Sequence, residues 1–263
     1  MTLSVAGVDF HVCLRGGKPD AVFVHGFGSD HHTWDLLWEH LDGTLAALRY
    51  DLREFGRSRG GGDTSFSHAE DLLAILNALS IEHCHLIGVS MGGAIALHTA
   101  LEWPDRVRSL TLISPALMGW EWSPAWRQRW RAIVDLARAG EMEAARRLWW
   151  QHPLFDSVRD SAASDRVFQE ILAFPGTQWV RDQQRPVVPD VERLYRLSVP
   201  TLLLTGGRDE ADFRLIADLI EASSERVQRI DVPTRGHLLH IEDPAVCARH
   251  LCNFLHSQPA PDT

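Results

Sequence analysis

A serine, a histidine and an aspartate stand in this chain in settings that would let them act together. Ser90 is the centre of GVSMG, Gly88 to Gly92, which follows the apolar run Cys84 to Ile87 and leads into the helix-forming stretch Ala94 to Leu101. That order predicts strand, sharp turn and helix, with the hydroxyl projecting from the turn and the small flanking residues letting neighbouring segments pass closely. A serine hydroxyl is a poor nucleophile until a base removes its proton, so a histidine is required. Among 14 histidines, His237 is best placed, in a loop after Gly236 that follows the apolar run Val227 to Val232. Parallel sheets gather their ligands at such strand ends. His240 is the nearest rival and reads as a capping or packing residue of the last helix. The imidazole in turn needs a carboxylate to fix its tautomer. Asp209 in TGGRD, Thr205 to Asp209, is expected to supply it, with Glu210, Asp212 and the remoter Glu121 as alternatives.

Acyl chemistry also needs donors for a developing oxyanion. HGFG, His25 to Gly28, closes the apolar run Ala21 to Val24, and its glycines allow a turn that aims the Phe27 N–H at the nucleophile; Met91, next to Ser90, offers a second N–H. The His25 ring is expected to hydrogen-bond loop backbone. DLREFGRS, Asp51 to Ser58, reads as a structural turn. The pairs His31-His32, His83 with His85, and His237 with His240 do not assemble ligands at metal-site spacing, so no metal is expected. Neither a G-x-G-x-x-G after the first strand nor a Walker-type loop is present, which leaves dinucleotide or nucleotide cofactors without support.

These residues need a frame, and the apolar pattern provides one. Val8 to Leu14 alternates like an edge strand, with a hairpin expected where Gly16-Gly17 and Pro19 break it. Further strand-length runs lie at Ala21 to Val24, Leu45 to Tyr50, Cys84 to Ile87, Val107 to Ile113, Pro200 to Thr205 and Val227 to Val232. Most lack strict alternation, as in strands covered on both faces. Helical patterns at Trp34 to Leu41, Ser67 to Leu79, Ser90 to Leu101, Phe213 to Ala222 and Pro244 to Leu255 separate several of them, predicting an α/β fold with a mostly parallel sheet and right-handed crossovers.

The alternation stops once. Residues 116–197 form a helical, arginine-rich insertion in a core made of 1–115 and 198–263. In it Trp122, Trp126 and Trp130 recur every four residues, Ile133, Val134 and Ala137 continue their face, and Arg127, Arg131 and Arg138 fall largely on the other side. A second helix is expected from Glu141 to Gln151. The tail Pro259 to Thr263 reads as disordered.

Composition narrows the partners. With 45% hydrophobic residues a large core is feasible, and a formal charge of −9 disfavours nucleic acid. Four scattered cysteines suit a reducing compartment, and neither a secretory signal nor an apolar stretch of membrane-spanning length is visible, so a cytoplasmic monomer or homodimer acting on a small molecule is expected.

Taken together, HGFG at His25, DLREFGRS at Asp51, GVSMGG at Gly88, GGRD at Gly206 and the Gly236-His237 pair resemble the α/β-hydrolase superfamily throughout the chain. The resemblance implies Ser90 as nucleophile, Asp209 as acid, His237 as base, and the Phe27 and Met91 N–H groups as oxyanion donors. It also implies that the insertion is a substrate-selecting cap, with Trp122, Trp126 and Trp149 as candidate substrate contacts. A serine at 90 argues against the haloalkane dehalogenase and epoxide hydrolase branches, whose nucleophile is an aspartate. WWQHPLF from Trp149 and LLLTGGRDEADF from Leu202 are similar to the menaquinone-pathway synthase that eliminates pyruvate, although Ala94 stands where that branch usually places an arginine. The leading expectation is a cofactor-free serine hydrolase acting on an ester, thioester, lactone or activated C–C bond of a small, largely apolar or aromatic substrate. The alternatives are a lyase or cyclase in which Ser90 and His237 abstract a proton while Arg127 or Arg131 holds carboxylates, and a hormone-receptor-like binding protein of the same fold.

Overall fold

The computed structural model describes residues 1–62 and 64–258, and the expected disorder of the last five residues lies outside them. Among the described residues, nine strands make one sheet: β1 (Thr2–Val5), β2 (Val8–Arg15), β3 (Ala21–Val24), β4 (Ala47–Tyr50), β5 (Arg59–Gly60), β6 (Cys84–Val89), β7 (Val107–Ile113), β8 (Thr201–Gly206) and β9 (Val227–Val232). The spatial order is β1-β2-β4-β3-β6-β7-β8-β9, with β5 beside β2. From β4 to β9 every pairing is parallel, while β2 runs antiparallel to β1, β4 and β5. Eleven helices accompany them among the described residues: α1 (Asp35–His40), α2 (His68–Ala78), α3 (Met91–Glu102), α4 (Pro124–Arg138), α5 (Met142–Trp150), α6 (Asp156–Arg159), α7 (Ser164–Ala173), α8 (Thr177–Val180), α9 (Ala211–Ser223), α10 (Leu239–Glu242) and α11 (Pro244–His256). None is long and apolar enough to cross a membrane.

Why the central strands are apolar without alternation follows from the two layers they meet. Successive side chains of a strand point to opposite faces. Val22, Val24, Leu86, Leu112 and Leu203 pack with α2, α3 and α9, whereas Ala21, Phe23, Ile87, Leu202 and Leu204 pack with α1 and α11. A strand buried on both sides has no position left for a polar residue unless that residue finds a partner. His85 shows the exception: its Nδ1 lies 2.8 Å from Ser109 Oγ on the adjacent strand.

Two expectations at the start of the chain are corrected. The hairpin lies not at Gly16-Gly17 but between β1 and β2, where Ala6 and Gly7 both take positive φ, 52° and 74°. Two such residues give the turn whose twist matches antiparallel strands. Gly16-Gly17 instead ends β2, and the chain crosses to β3, which is separated from β2 by β4. For the same reason β2 is an interior strand rather than an edge.

Between β7 and β8 the chain leaves the sheet for α4 to α8. Ser123 starts α4 by accepting the Trp126 N–H at 3.2 Å, with Pro124 at the first helical position. Trp126, Ile133 and Ala137 of α4 are buried with Trp149, Ile171 and Trp179 in one apolar cluster that is continuous with the sheet. The expected second helix, Glu141 to Gln151, is present as α5.

Several buried histidines make this core sensitive to acid. Burial lowers His68, His152 and His240 to about 3, and both ring nitrogens of His68 lack a hydrogen-bond partner. These rings are neutral when folded but protonate near 6.5 when unfolded, so the unfolded state binds more protons as pH falls from 6.5 towards 3 and stability drops across that window. Each ring steepens the loss by up to about 1.4 kcal/mol per pH unit. Urea unfolding measured from pH 7 to pH 4 is expected to show this decline, and His68→Leu is expected to flatten it by one ring's share; an unchanged slope in His68→Leu would refute the assignment.

Candidate active site

Ser90 sits at the junction of β6 and α3 with φ 54° and ψ −120°, a conformation rarely adopted by a residue with a Cβ. Its surroundings hold it there. The Ser90 N–H donates to Ile113 O at 3.0 Å, and its carbonyl accepts from Ala94 N–H at 3.1 Å and Ala116 N–H at 3.0 Å. The flanking glycines are required by close approach: a Cβ on Gly88 would lie 2.3 Å from Gly92 O, and one on Gly92 would lie 2.1 Å from Val24 O. The end of β3, the turn at Ser90 and the start of α3 are therefore pressed together backbone to backbone.

The loop after β3 completes this side of the site. A Cβ on Gly26 would stand 3.3 Å from Ser90 Cβ, so HGFG passes directly beside the serine. His25 is fully buried, with Nδ1 2.8 Å from Gly26 O and Nε2 accepting the Leu52 N–H at 3.0 Å. Its ring thus braces backbone, as expected, and burial lowers its pKa. The Asp51 to Ser58 turn is likewise structural, because Asp51 accepts the N–H groups of His31 and Arg57 and its carbonyl accepts Ser58 Oγ–H. Neither the Phe27 N–H nor the Met91 N–H donates to a protein group among the described residues.

On the far side, β8 and β9 bring Asp209 and His237 together across 28 residues of sequence. The His237 Nδ1–H donates to the Asp209 carboxylate, 3.0 and 3.1 Å from its two oxygens, with both side chains almost completely buried. Asp209 Oδ1 also accepts the Glu210 N–H at 2.7 Å. The two loops touch through glycine, since a Cβ on Gly206 would lie 2.2 Å from Gly236 O. Phe213 packs against the imidazole at 4.3 Å between centroids. Because a carboxylate only accepts, a proton sits on Nδ1, and in the neutral ring the lone pair is then on Nε2. That Nε2 is buried and has no hydrogen-bond partner. The Ser90 hydroxyl does not bond to it, so of these two contacts only the Asp209–His237 hydrogen bond is formed.

The rival residues have other work. Glu210 caps α9 and faces Arg129 at 3.4 Å, while Asp212 accepts Trp120 Nε1–H at 3.1 Å and Ser123 N–H at 3.2 Å, tying the insertion to the core. Glu121 is exposed and lies 3.5 Å from Arg127. His240 is buried, with Nε2 2.9 Å from Thr33 Oγ1 and its ring against Trp34.

A cavity of about 630 Å³ joins these parts, and both Ser90 and His237 line it. So do Phe27, Met91, Trp122, Trp126 and Trp149, all singled out by sequence. Trp122 precedes α4 rather than belonging to it, yet stacks on Trp126 at 4.4 Å. The sequence reading missed Phe213, Gln178 and Trp179 on the wall, and it turned Arg127, Arg131 and Arg138 away from the tryptophans. In the structure these arginines reach the cavity too. They share the α4 stripe of Val134, a residue that the sequence pattern had placed on the tryptophan face.

Comparison with known proteins bears on the fold and the family. A 3-oxoadipate enol-lactonase of Acinetobacter baylyi is 27% identical, covering 91% of this chain and 89% of its own. A Bacillus subtilis protein provisionally named a 2-succinyl-6-hydroxy-2,4-cyclohexadiene-1-carboxylate synthase is 26% identical, covering 95% and 96%. The crystal structure of the enol-lactonase from Burkholderia xenovorans LB400 superposes with a TM-score of 0.82 at 19% identity, covering 98% of this chain and all of that one. A sequence profile of the alpha/beta hydrolase fold matches residues 22–244, and the chain belongs to that family.

Proposed function

We propose that this protein is a serine hydrolase that cleaves an ester or lactone of a small, largely apolar or aromatic acid through an acyl intermediate on Ser90. Thioesters and activated C–C bonds fall within the same chemistry. The observation that carries the reading is the Asp209–His237 hydrogen bond, which leaves a buried, unpartnered Nε2 in the cavity wall that also contains Ser90. In the first step Nε2 takes the hydroxyl proton as Oγ bonds to the substrate carbonyl carbon, and Asp209 stabilises the imidazolium. The carbonyl oxygen becomes an oxyanion held by the free N–H groups of Phe27 and Met91. Collapse expels the leaving group, which takes the proton from Nε2; water activated by the same nitrogen then releases the acid. The Ser90–His237 hydrogen bond closes when substrate fills the cavity, in line with the looser contacts of unliganded sites.

The cap supplies selectivity in this reading. Trp122, Trp126 and Trp149 present apolar rings to the acyl group, and Arg131 and Arg138 line the cavity with no ion-pair partner among the described residues. A substrate with an acidic group remote from the scissile bond would place that group beside them. The similarity to an enol-lactonase supports such a substrate. The same arginines favour a second reading, a lyase or cyclase in which Ser90 and His237 abstract a proton without acylation, to which the similarity to the Bacillus subtilis protein lends support.

A fluorophosphonate probe is expected to label folded protein on Ser90, read as a mass adduct on the peptide that contains it, and not to label Ser90→Ala; a folded wild type that stays unlabelled would sink the acyl-enzyme. Asp209→Asn is expected to lower kcat on the order of 10⁴-fold with the fold retained, because the imidazole loses its tautomer. For Arg131→Ala, KM should rise about 5-fold on an ester carrying a distal carboxylate, as for an ion pair worth about 1 kcal/mol at a solvent-exposed site. A neutral p-nitrophenyl ester should show no such change. Turnover of an acidic diene precursor with no activity on simple esters would select the lyase reading instead.

A further inference from the structure

We infer that His11, Cys13 and His31 form a binding site for one divalent transition-metal ion of zinc type, apart from the cavity that holds Ser90 and His237. His11 and Cys13 are two residues apart on β2, so the strand's period places both side chains on one face. Nε2 of His11 lies 3.6 Å from Cys13 Sγ. A nitrogen at about 2.05 Å and a sulfur at about 2.3 Å from one tetrahedral ion are separated by about 3.5 Å, so this pair already has the spacing of two ligands. The third residue comes from a distant part of the chain. The 3-10 turn His31–Trp34 follows the HGFG loop and brings the His31 ring to 4.8 Å from that of His11, centroid to centroid. Ligand atoms of the three side chains all lie within 4.8 Å of one another.

The surroundings suit an ion as well. Asp51 sits 2.6 Å from His31 Nδ1 and accepts the His31 N–H at 2.8 Å, which fixes the ring and leaves Nε2 as the available ligand. A carboxylate on the second nitrogen is the usual outer support of a zinc-bound histidine. His11 and Cys13 are only half-buried, which gives an ion a way in from solvent and room for a water ligand. Cys13 is a free cysteine. Thiolate and imidazole together favour zinc, cobalt or copper over magnesium or calcium. Arg57 and the Met1 ammonium act on His11 from nearby and oppose a cation, so the site binds less tightly than a four-ligand structural centre. An ion held there would tie β2 to the turn that follows Phe27.

Cobalt(II) is the probe that tests this. Metal-free protein, prepared with a chelator and a reductant that is then removed, is titrated with Co²⁺ and followed by near-ultraviolet absorption. One equivalent is expected to produce a thiolate-to-cobalt charge-transfer band, which Zn²⁺ then displaces. Cys13→Ser is expected to abolish the band, His11→Ala to weaken binding at least about 10-fold, and Cys252→Ser to leave it unchanged. Far-ultraviolet circular dichroism verifies that each variant is folded, and the wild-type titration decides alone where one is not. Absence of the band in wild type, or its survival in folded Cys13→Ser, would overturn the site.

Discussion

The structure depends on a backbone contact with no room for a side chain. At the β6–α3 junction, the chain at Gly88 meets Gly92 O, and Gly92 meets Val24 O, at distances no Cβ could occupy. Ser90 is thereby held at positive φ, a strain on the order of 1–3 kcal/mol that only an over-determined setting can maintain. The setting is supplied by three segments at once: the end of β7 through Ile113 O, the first turn of α3 through Ala94 N–H, and Ala116 N–H just beyond β7. Fixing that turn fixes where α3 begins, where the HGFG loop passes, and where the chain departs for the cap.

From this junction the helical insertion between β7 and β8 is anchored at both ends. Ala116 is bonded to the carbonyl of Ser90 itself, and at the other end a buried group clasps α3. His98 Nδ1 lies 2.9 Å from Asp190 Oδ1, Arg193 lies 2.7 Å from the same oxygen, and Arg193 also pairs with Glu102. A buried set of this kind contributes little over a well-packed apolar equivalent, but leaving one member unpaired costs about 3–5 kcal/mol. It therefore works as a registration device, setting the returning chain against the helix that follows Ser90. Both ends of the insertion are thus tied to α3 or to the residue that precedes it.

Much of this was legible because the informative residues are constrained by local geometry. GVSMG after an apolar strand encodes the turn through sterics within five residues, and the unbroken apolar runs encode two-sided burial. The hairpin at Ala6-Gly7 escaped because a single glycine within the apolar run Val5 to Val8 is a weak signal beside Gly16-Gly17 and Pro19, which end a strand for a different reason. Strand order is non-local, so the placing of β4 between β2 and β3 could not be read from either neighbour. The cavity wall was legible in part. Trp126 and Trp149 stood out by type, whereas Phe213 looked like any helix-core residue, and its place against His237 exists only once β8 and β9 are adjacent. His11, Cys13 and His31 escaped for the same reason, since spacing along the chain says nothing about a group assembled from β2 and a turn beyond β3.

A carboxylate beside an imidazole does not by itself mark a general base. Three buried pairs of this kind occur among the described residues, His31–Asp51, His98–Asp190 and His237–Asp209, with Nδ1 to oxygen distances of 2.6, 2.9 and 3.0 Å. The shortest is not the one proposed for catalysis. His98 has Arg193 against the same nitrogen at 3.1 Å and ends in a structural cluster. His31 belongs to the loop that Asp51 organises. What sets His237 apart lies at the opposite end of its ring: an Nε2 whose hydrogen bond is still unmade, in the wall of the cavity that holds the strained serine. In the proposed reaction the pairing with Asp209 orients the imidazole and Nε2 is the nitrogen that takes the Ser90 proton.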